Sequence, residues 1–154
     1  MNDDYKYWLN KMANYCAGSE KCSSDVLEKL KNSQLSDEEK HNIISYLTEN
    51  NYINHERYAI AYANDKLRFN KWGRIKTATY LRHKDIENQH INTAIEQLDE
   101  KLYKEILHKL LSSKNKSLKE TDSYKRKAKL INFALSKGFE FEEINTVLEK
   151  LQIN

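Results

Sequence analysis

Residues 52–98, YINHERYAIAYANDKLRFNKWGRIKTATYLRHKDIENQHINTAIEQL, decide how this chain is read. The spacing predicts three helices in a row. Tyr58, Ala59, Tyr62, Ala63 and then Lys66 share one face of the first. A break falls at 70–73, ending on Gly73, and the second helix runs from about Arg74 to Lys84. Ile91, Ile95 and Leu98 follow at i, i+4 and i+7, one buried face of the third. From Lys66 to Lys84 there are seven Lys/Arg (66, 68, 71, 74, 76, 82, 84) and no Asp or Glu. The middle of the chain is thus a helical unit with a basic flank.

The same pattern extends outward on both sides. Before it, Tyr5, Trp8, Met12 and Tyr15 mark a helix that Gly18 is expected to end. Ser23, Ser24 and Asp25 offer N-cap chemistry, with Glu28 as capping-box partner, ahead of Val26, Leu27 and Leu30. Ser36 opens a helix with three acids in its first turn and Ile43, Ile44 and Leu47 inward. After it, Leu102, Ile106, Leu110 and Leu111 predict a long amphipathic helix that ends or frays within 112–123. A helix over about Tyr124–Ser136 buries Leu130, Ile131 and Ala134, and Gly138 stops it. The last helix, Glu140–Leu151, turns Ile144, Val147, Leu148 and Leu151 inward.

These nine segments superimpose as a repeat. With Leu35, Ile86 and Phe139 aligned, Leu30, Leu81 and Ala134 lie five residues before. Ile44, Ile95 and Leu148 lie nine after, and Leu47, Leu98 and Leu151 lie twelve after. The offsets are 51 and 53 residues. A period near 50 with one apolar pattern predicts an all-α fold of three tandem three-helix repeats, 1–50, 51–98 and 99–154. The expected form is an elongated array, with a crescent shape open to it.

Composition agrees. There is no Pro, there are three Gly, and 32% of residues are charged, which suits helices with one apolar stripe better than turn-rich β architectures. Net charge is +3 overall, but residues 1–50 carry −3 (six Lys against nine acids) and 51–154 carry +6. That asymmetry points to an anionic partner for the later part, or simply to a solubilising surface. No apolar run approaches the length of a membrane span, and the acidic, aromatic N-terminus is unlike a signal peptide, so the cytosol is the default expectation.

The basic block Lys66, Arg68, Lys71, Arg74, Lys76, Arg82 and Lys84 can meet several phosphates, with Trp72 free to stack on a base or fill a partner's pocket. The plainer reading is a solvated helical face with Trp72 anchoring a turn. A second basic run, Lys114, Lys116, Lys119, Lys125, Arg126, Lys127 and Lys129, surrounds the polar stretch and reads either as a further contact or as a soluble loop. Cys16 and Cys22 are spaced C-x5-C, and His41 and His55 are too irregularly placed to complete a zinc set, so buried thiols are expected and no metal or cofactor. No HExxH, GxSxG or phosphate-cradling Gly loop occurs. Paired acids such as Glu38/Glu39 sit in first turns of helices, where the macrodipole explains them, and no feature asks for catalysis.

Over 50–86 the chain resembles the RecX family, modulators of the RecA recombinase. The resemblance rests on Tyr52-Ile53, Glu56-Arg57-Tyr58-Ala59, Tyr62, Lys66, Gly73-Arg74-Ile75, Leu81 and Lys84-Asp85-Ile86, with Lys137-Gly138-Phe139 as the companion motif of the third repeat. The K-W-G run looks like a Bacteroidetes-type branch. His55 stands where an acid is usual, and Asp85 and Gln34 replace a post-helix Gly, so those turns need an αL Asp or another device. The resemblance implies a non-enzymatic monomer that binds the RecA filament and restrains recombination, ATP hydrolysis and co-protease activity. DNA would be met weakly or within the filament, with Arg57, Lys125, Arg126 and Lys127 joining the basic block and Trp72 as candidate contacts. The alternative is a stand-alone DNA-binding protein in which one unit acts as a helix-turn-helix.

Overall fold

The computed structural model describes residues 2–153, and among them only helices, turns and loops occur. The helices are α1 (Asp3–Gly18), α2 (Ser23–Leu30), α3 (Asp37–Glu49), α4 (His55–Asp65), α5 (Arg74–His83), α6 (Asn88–Glu96), α7 (Glu100–Ser117), α8 (Ser123–Ser136) and α9 (Phe141–Lys150). A π-helical segment, Lys66–Asn70, continues α4. No helix among the described residues is long and apolar enough to cross a membrane. The chain is all-α, as its periodicity predicts, and the order helix, helix, helix recurs three times.

The chain packs as two compact units whose limits fall inside the middle three helices. One takes Met1–Ala61 and Leu81–Thr93, the other Tyr62–Tyr80 and Ala94–Asn154. In the first unit Tyr5, Met12, Cys16, Val26, Leu30, Leu35, Ile43, Leu47 and Ile53 form one core cluster, with Trp8, Tyr15 and Ile44 packed on it. In the second, α7, α8 and α9 pack against one another. Tyr103, Leu107, Leu111, Leu130, Ala134, Phe139, Ile144, Val147 and Leu148 are buried there.

The punctuation explains where the helices stop. Ser36 caps α3, accepting from the Glu39 N–H at 3.1 Å while Glu39 accepts from the Ser36 N–H at 3.0 Å, a reciprocal capping box. Gly138 is left-handed (φ +92°) after α8, and Asp85 takes the same role after α5 (φ +59°). In both turns the next residue's N–H reaches back five positions, Phe139 to Ala134 at 3.2 Å and Ile86 to Leu81 at 3.1 Å. The first repeat uses a different device. Ser33 Oγ donates to the Leu30 carbonyl (2.6 Å) and accepts from the Leu35 N–H (3.4 Å), so Gln34 needs no left-handed backbone.

Three expectations are corrected. Gly18 is the last residue of α1, not a left-handed residue beyond it, and the exit is an extended Ser19. The cap of α2 is Cys22, whose N–H donates to Asp25 Oδ2 at 3.1 Å, and Glu28 pairs instead with Lys31. On α7 Leu111 is fully buried as expected, but its buried companions are Tyr103 and Leu107, while Leu102, Ile106 and Leu110 are only partly covered. The stripe shifts by one residue because Tyr103 is drawn inward by polar partners that an apolar count ignores.

Gly73 and Gly138 meet backbone to backbone. A Cβ on Gly73 would lie 2.4 Å from the Gly138 carbonyl oxygen, and one on Gly138 would lie 2.3 Å from Lys76 Cβ. Gly73→Ala and Gly138→Ala should each cost more than about 2 kcal/mol, read as a fall in the urea midpoint. Gly18→Ala is the control. It has nothing within 4 Å of the added carbon, and it should stabilise by up to about 1 kcal/mol.

Candidate functional site

A helix begins with backbone N–H groups that lack partners inside the helix. In this chain α5 hands those groups to a turn far along the sequence, and α2 hands one to a distant imidazole. In the second unit, the Gly73 N–H donates to the Lys137 carbonyl at 2.8 Å and the Ile75 N–H to the Gly138 carbonyl at 3.0 Å. The Arg74 N–H donates to Tyr103 Oη at 3.0 Å. Tyr103 Oη in turn donates to Glu140 Oε1. The Arg74 guanidinium lies 3.8 Å from the centroid of the Tyr103 ring and bridges Glu140 and Glu100, each at 2.7 Å. Burial, then the hydrogen bond to Glu140, pushes the Tyr103 hydroxyl well above the usual phenol range.

The first unit builds the same junction from other residues. The Ser23 N–H donates to His55 Nε2 at 3.1 Å, which leaves Nδ1 to donate to Glu87 at 3.0 Å. Ser24 Oγ donates to the Lys84 carbonyl at 3.1 Å, and Lys84 Nζ donates to Asp25 Oδ1 at 2.6 Å. With the repeat offsets of 51 and 53, Ser23 matches Arg74, Glu87 matches Glu140, Lys84 matches Lys137 and Asp25 matches Lys76.

Several of the candidate contacts are therefore already engaged. Arg74 is held as described. Arg57 pairs with Glu20 at 2.5 Å and donates to the Asn51 carbonyl at 3.0 Å. Lys84 is bound to Asp25. Arg126 makes five hydrogen bonds, to the Asn115 carbonyl and Oδ1, to the Leu118 carbonyl and twice to the Glu120 carbonyl. That guanidinium stitches down the polar stretch read as a loop. Trp72 is partly buried, with Lys66 Nζ and Lys76 Nζ each 4.8 Å from its ring centroid and Tyr80 at 4.7 Å. Its ring is in use as the anchor of the turn.

What remains unpaired is a smaller set. Lys66, Arg68, Lys71 and Lys76 make no ion pair with any described residue. All four lie in the second unit, on the π-helical segment, the turn after it and the start of α5. Lys71 itself is left-handed (φ +58°), the kink that turns the chain into α5. Arg82 is exposed in the first unit, and Lys125 is exposed and Lys127 partly buried on α8. Beside the unpaired set, Arg68, Lys71 and Lys109 line a cleft of about 430 Å³ together with the apolar Leu102, Ile106 and Leu110. Lys109 was not singled out from sequence, and Lys137 only as part of a turn motif. A register check of α7 against Tyr103 would have found the first, and the repeat alignment the second. Cys16 and Cys22 are free and buried, burial pushing the Cys16 thiol up to about 11. No cluster of three or more His, Cys, Asp or Glu able to hold a metal occurs among the described residues.

This geometry can hold an acidic or phosphate-bearing surface against an apolar cleft. Two stability consequences follow. Tyr103→Phe strands the Arg74 N–H and one Glu140 oxygen and should cost about 1–3 kcal/mol in urea unfolding. Burial alone would raise the Asp25 carboxyl, but hydrogen bonds from Lys84 and the Cys22 N–H outweigh it and hold it below its ordinary 3.8. A depressed carboxyl stabilises the fold above its unfolded pKa and stops doing so as pH falls through the folded one. Asp25→Asn should therefore flatten the loss of stability below about pH 4 in acid titrations followed by circular dichroism.

Comparison with known proteins places this arrangement. The model of the RecX second three-helix domain matches residues 54–95, and that of the third matches 102–148. The chain is 29% identical over 136 residues to the regulatory protein RecX of Clostridium perfringens strain 13, covering 87% of this chain and 63% of the relative. To that of Clostridium tetani it is 28% identical over 151 residues, covering 97% and 69%. It thus spans just under two thirds of the first of these relatives. The expected Bacteroidetes branch has no counterpart between them. The crystal structure of RecX from Lactobacillus salivarius superimposes with a TM-score of 0.87 at 21% identity over the whole of both chains, a likeness of fold. With two successive family domains matched across more than half its length, on a fold of repeated three-helix units, the chain belongs to the RecX family.

Proposed function

We propose that this chain is a non-catalytic regulator that binds the RecA–DNA filament and restrains RecA recombinase, ATPase and co-protease activity. The observation that carries the reading is the group of cations without counter-charges, Lys66, Arg68, Lys71 and Lys76, set beside an apolar cleft on a RecX-type scaffold. Cations of that kind supply sequence-blind attraction to phosphates and acidic surfaces. The cleft lining supplies apolar area for a protein contact. Both features are what a partner made of protein wound on DNA would present.

A stand-alone helix-turn-helix reading fits less well. Such a module places the N-terminal residues of its recognition helix against base edges. Here the first turn of α5 is committed to the chain's own 137–140 turn and to Tyr103.

The test is single-stranded-DNA-dependent ATP hydrolysis by the cognate RecA with this protein added at substoichiometric amounts. Strong inhibition is expected, and no effect at any ratio in low salt would overturn the reading. A triple variant, Arg68→Glu, Lys71→Glu and Lys76→Glu, should weaken inhibition by about tenfold or more while helicity is kept. Inhibition unchanged in that variant would move the interface elsewhere on the molecule.

A further inference from the structure

The two junctions use different hydrogen bonds, and their matching repeat positions differ in charge. In the first unit the lysine of the turn, Lys84, meets Asp25 at the start of α2 at 2.6 Å. In the second unit the matching positions are Lys137 and Lys76, so the attractive pair is replaced by two cations. The backbones that carry them approach closely. Gly138 lies directly against the Lys76 backbone and Cβ. Lys76 Nζ reaches the Ser136 carbonyl at 3.5 Å, one residue before Lys137. Lys71, on the turn before α5, is a third cation of this unit, and its Nζ donates to the Arg68 carbonyl.

No acid offsets them. Glu140, the carboxylate of this turn, is spent on Arg74 and Tyr103, and Glu100 on Arg74. None of the three lysines makes an ion pair with a described residue. The Lys137 ammonium is lowered below its ordinary pKa, first by burial and then by repulsion from Lys76 and Lys71. Like charges brought together by a junction raise the free energy of the empty state, and an anion that bridges them removes that cost.

We propose that Lys71, Lys76 and Lys137 form an oxyanion site that takes a phosphate group. Beyond the bonds that Lys71 and Lys76 make to the Arg68 and Ser136 carbonyls, the three ammonium groups keep N–H donors for tetrahedral oxygens, and lysine acts on phosphate as a mobile point charge. Trp72, carrying Lys66 and Lys76 over its ring, fixes the wall beside the site. The phosphate can come from a nucleic-acid backbone or from a free phosphate ion. The site deepens the interface reading above, but its test needs no RecA, so the two fail separately.

The test is a titration of the full chain with inorganic phosphate against chloride at matched ionic strength, followed by ¹H–¹⁵N NMR. Phosphate should shift the amides of Lys71, Lys76, Lys137 and Gly138 together. Lys76→Asp rebuilds the pair seen at Lys84 and Asp25. It should melt about 2–4 °C higher in chloride and lose the phosphate response. Lys137→Gln, which adds no acid, should weaken phosphate binding by about tenfold. Adding an oligothymidylate then identifies the source. Displacement of phosphate assigns the site to a nucleic-acid backbone, and retention assigns it to a free phosphate, the oxyanion site standing in either case. No phosphate-specific shift in the wild type, or the same shift in Lys76→Asp, overturns the proposal.

Discussion

The structure depends on how the unsatisfied first turn of a middle helix is capped by a turn from later in the chain. At α5 the cap is made of the carbonyls of Lys137 and Gly138 and the hydroxyl of Tyr103. Each of these bonds removes a donor that would otherwise be buried at a cost of about 1–3 kcal/mol. The bonds require the two backbones to touch, and only glycine at 73 and 138 permits that. From this one apposition follow the inward draw of Tyr103, the register of α7 and the commitment of Arg74 to Glu100 and Glu140. The same logic runs in the first unit through Ser23, His55 and Lys84. The repeat is thus a repeat of junctions as much as of helices, which accounts for compact units whose limits fall inside the middle three helices.

The junctions also sort the cations. Arg57, Arg74 and Arg126 turn planar, multi-donor guanidiniums onto carboxylates and carbonyls inside the chain, and among the lysines of the basic block Lys84 pairs with a carboxylate. Lysine, a compact charge on a flexible stem, is left at the surface. A count of basic residues along 66–84 sees one block. The structure separates it into groups that hold the molecule together and groups still able to meet something else.

That separation marks the limit of what the sequence discloses. The repeat was legible because buried positions recur at fixed offsets, and Leu30, Leu81 and Ala134 are each fully buried. Caps made of neighbouring residues were legible too: Ser36 with Glu39, Gly138, and Asp85 in the left-handed region. Partners distant in sequence were not. Nothing near Arg74 announces Glu140, and nothing near Lys84 announces Asp25. The α7 stripe was misplaced for the same reason. Leu102, Ile106 and Leu110 make as good an apolar face as Tyr103, Leu107 and Leu111. The choice between them is made by a hydrogen bond to a residue 37 positions away. The candidate site inherits this limit, since whether a cation is available is decided by its long-range neighbours.

On the proposed reading, the cations left over would suit a regulator of an assembly that forms on DNA of any sequence. Phosphate contacts supply attraction and orientation without reading bases. Alone they bind any polyanion, and they weaken steeply with salt. The apolar lining of the cleft beside Arg68 and Lys71 is insensitive to salt and requires a shaped protein surface to cover it. Neither element is selective by itself. On that reading, the two together would favour a surface that offers negative charge and an apolar side chain at the right separation. Bare DNA lacks the second and an ordinary acidic protein lacks the pattern of the first. Specificity for a nucleoprotein would then need no base-reading helix, only the two elements held together on one surface.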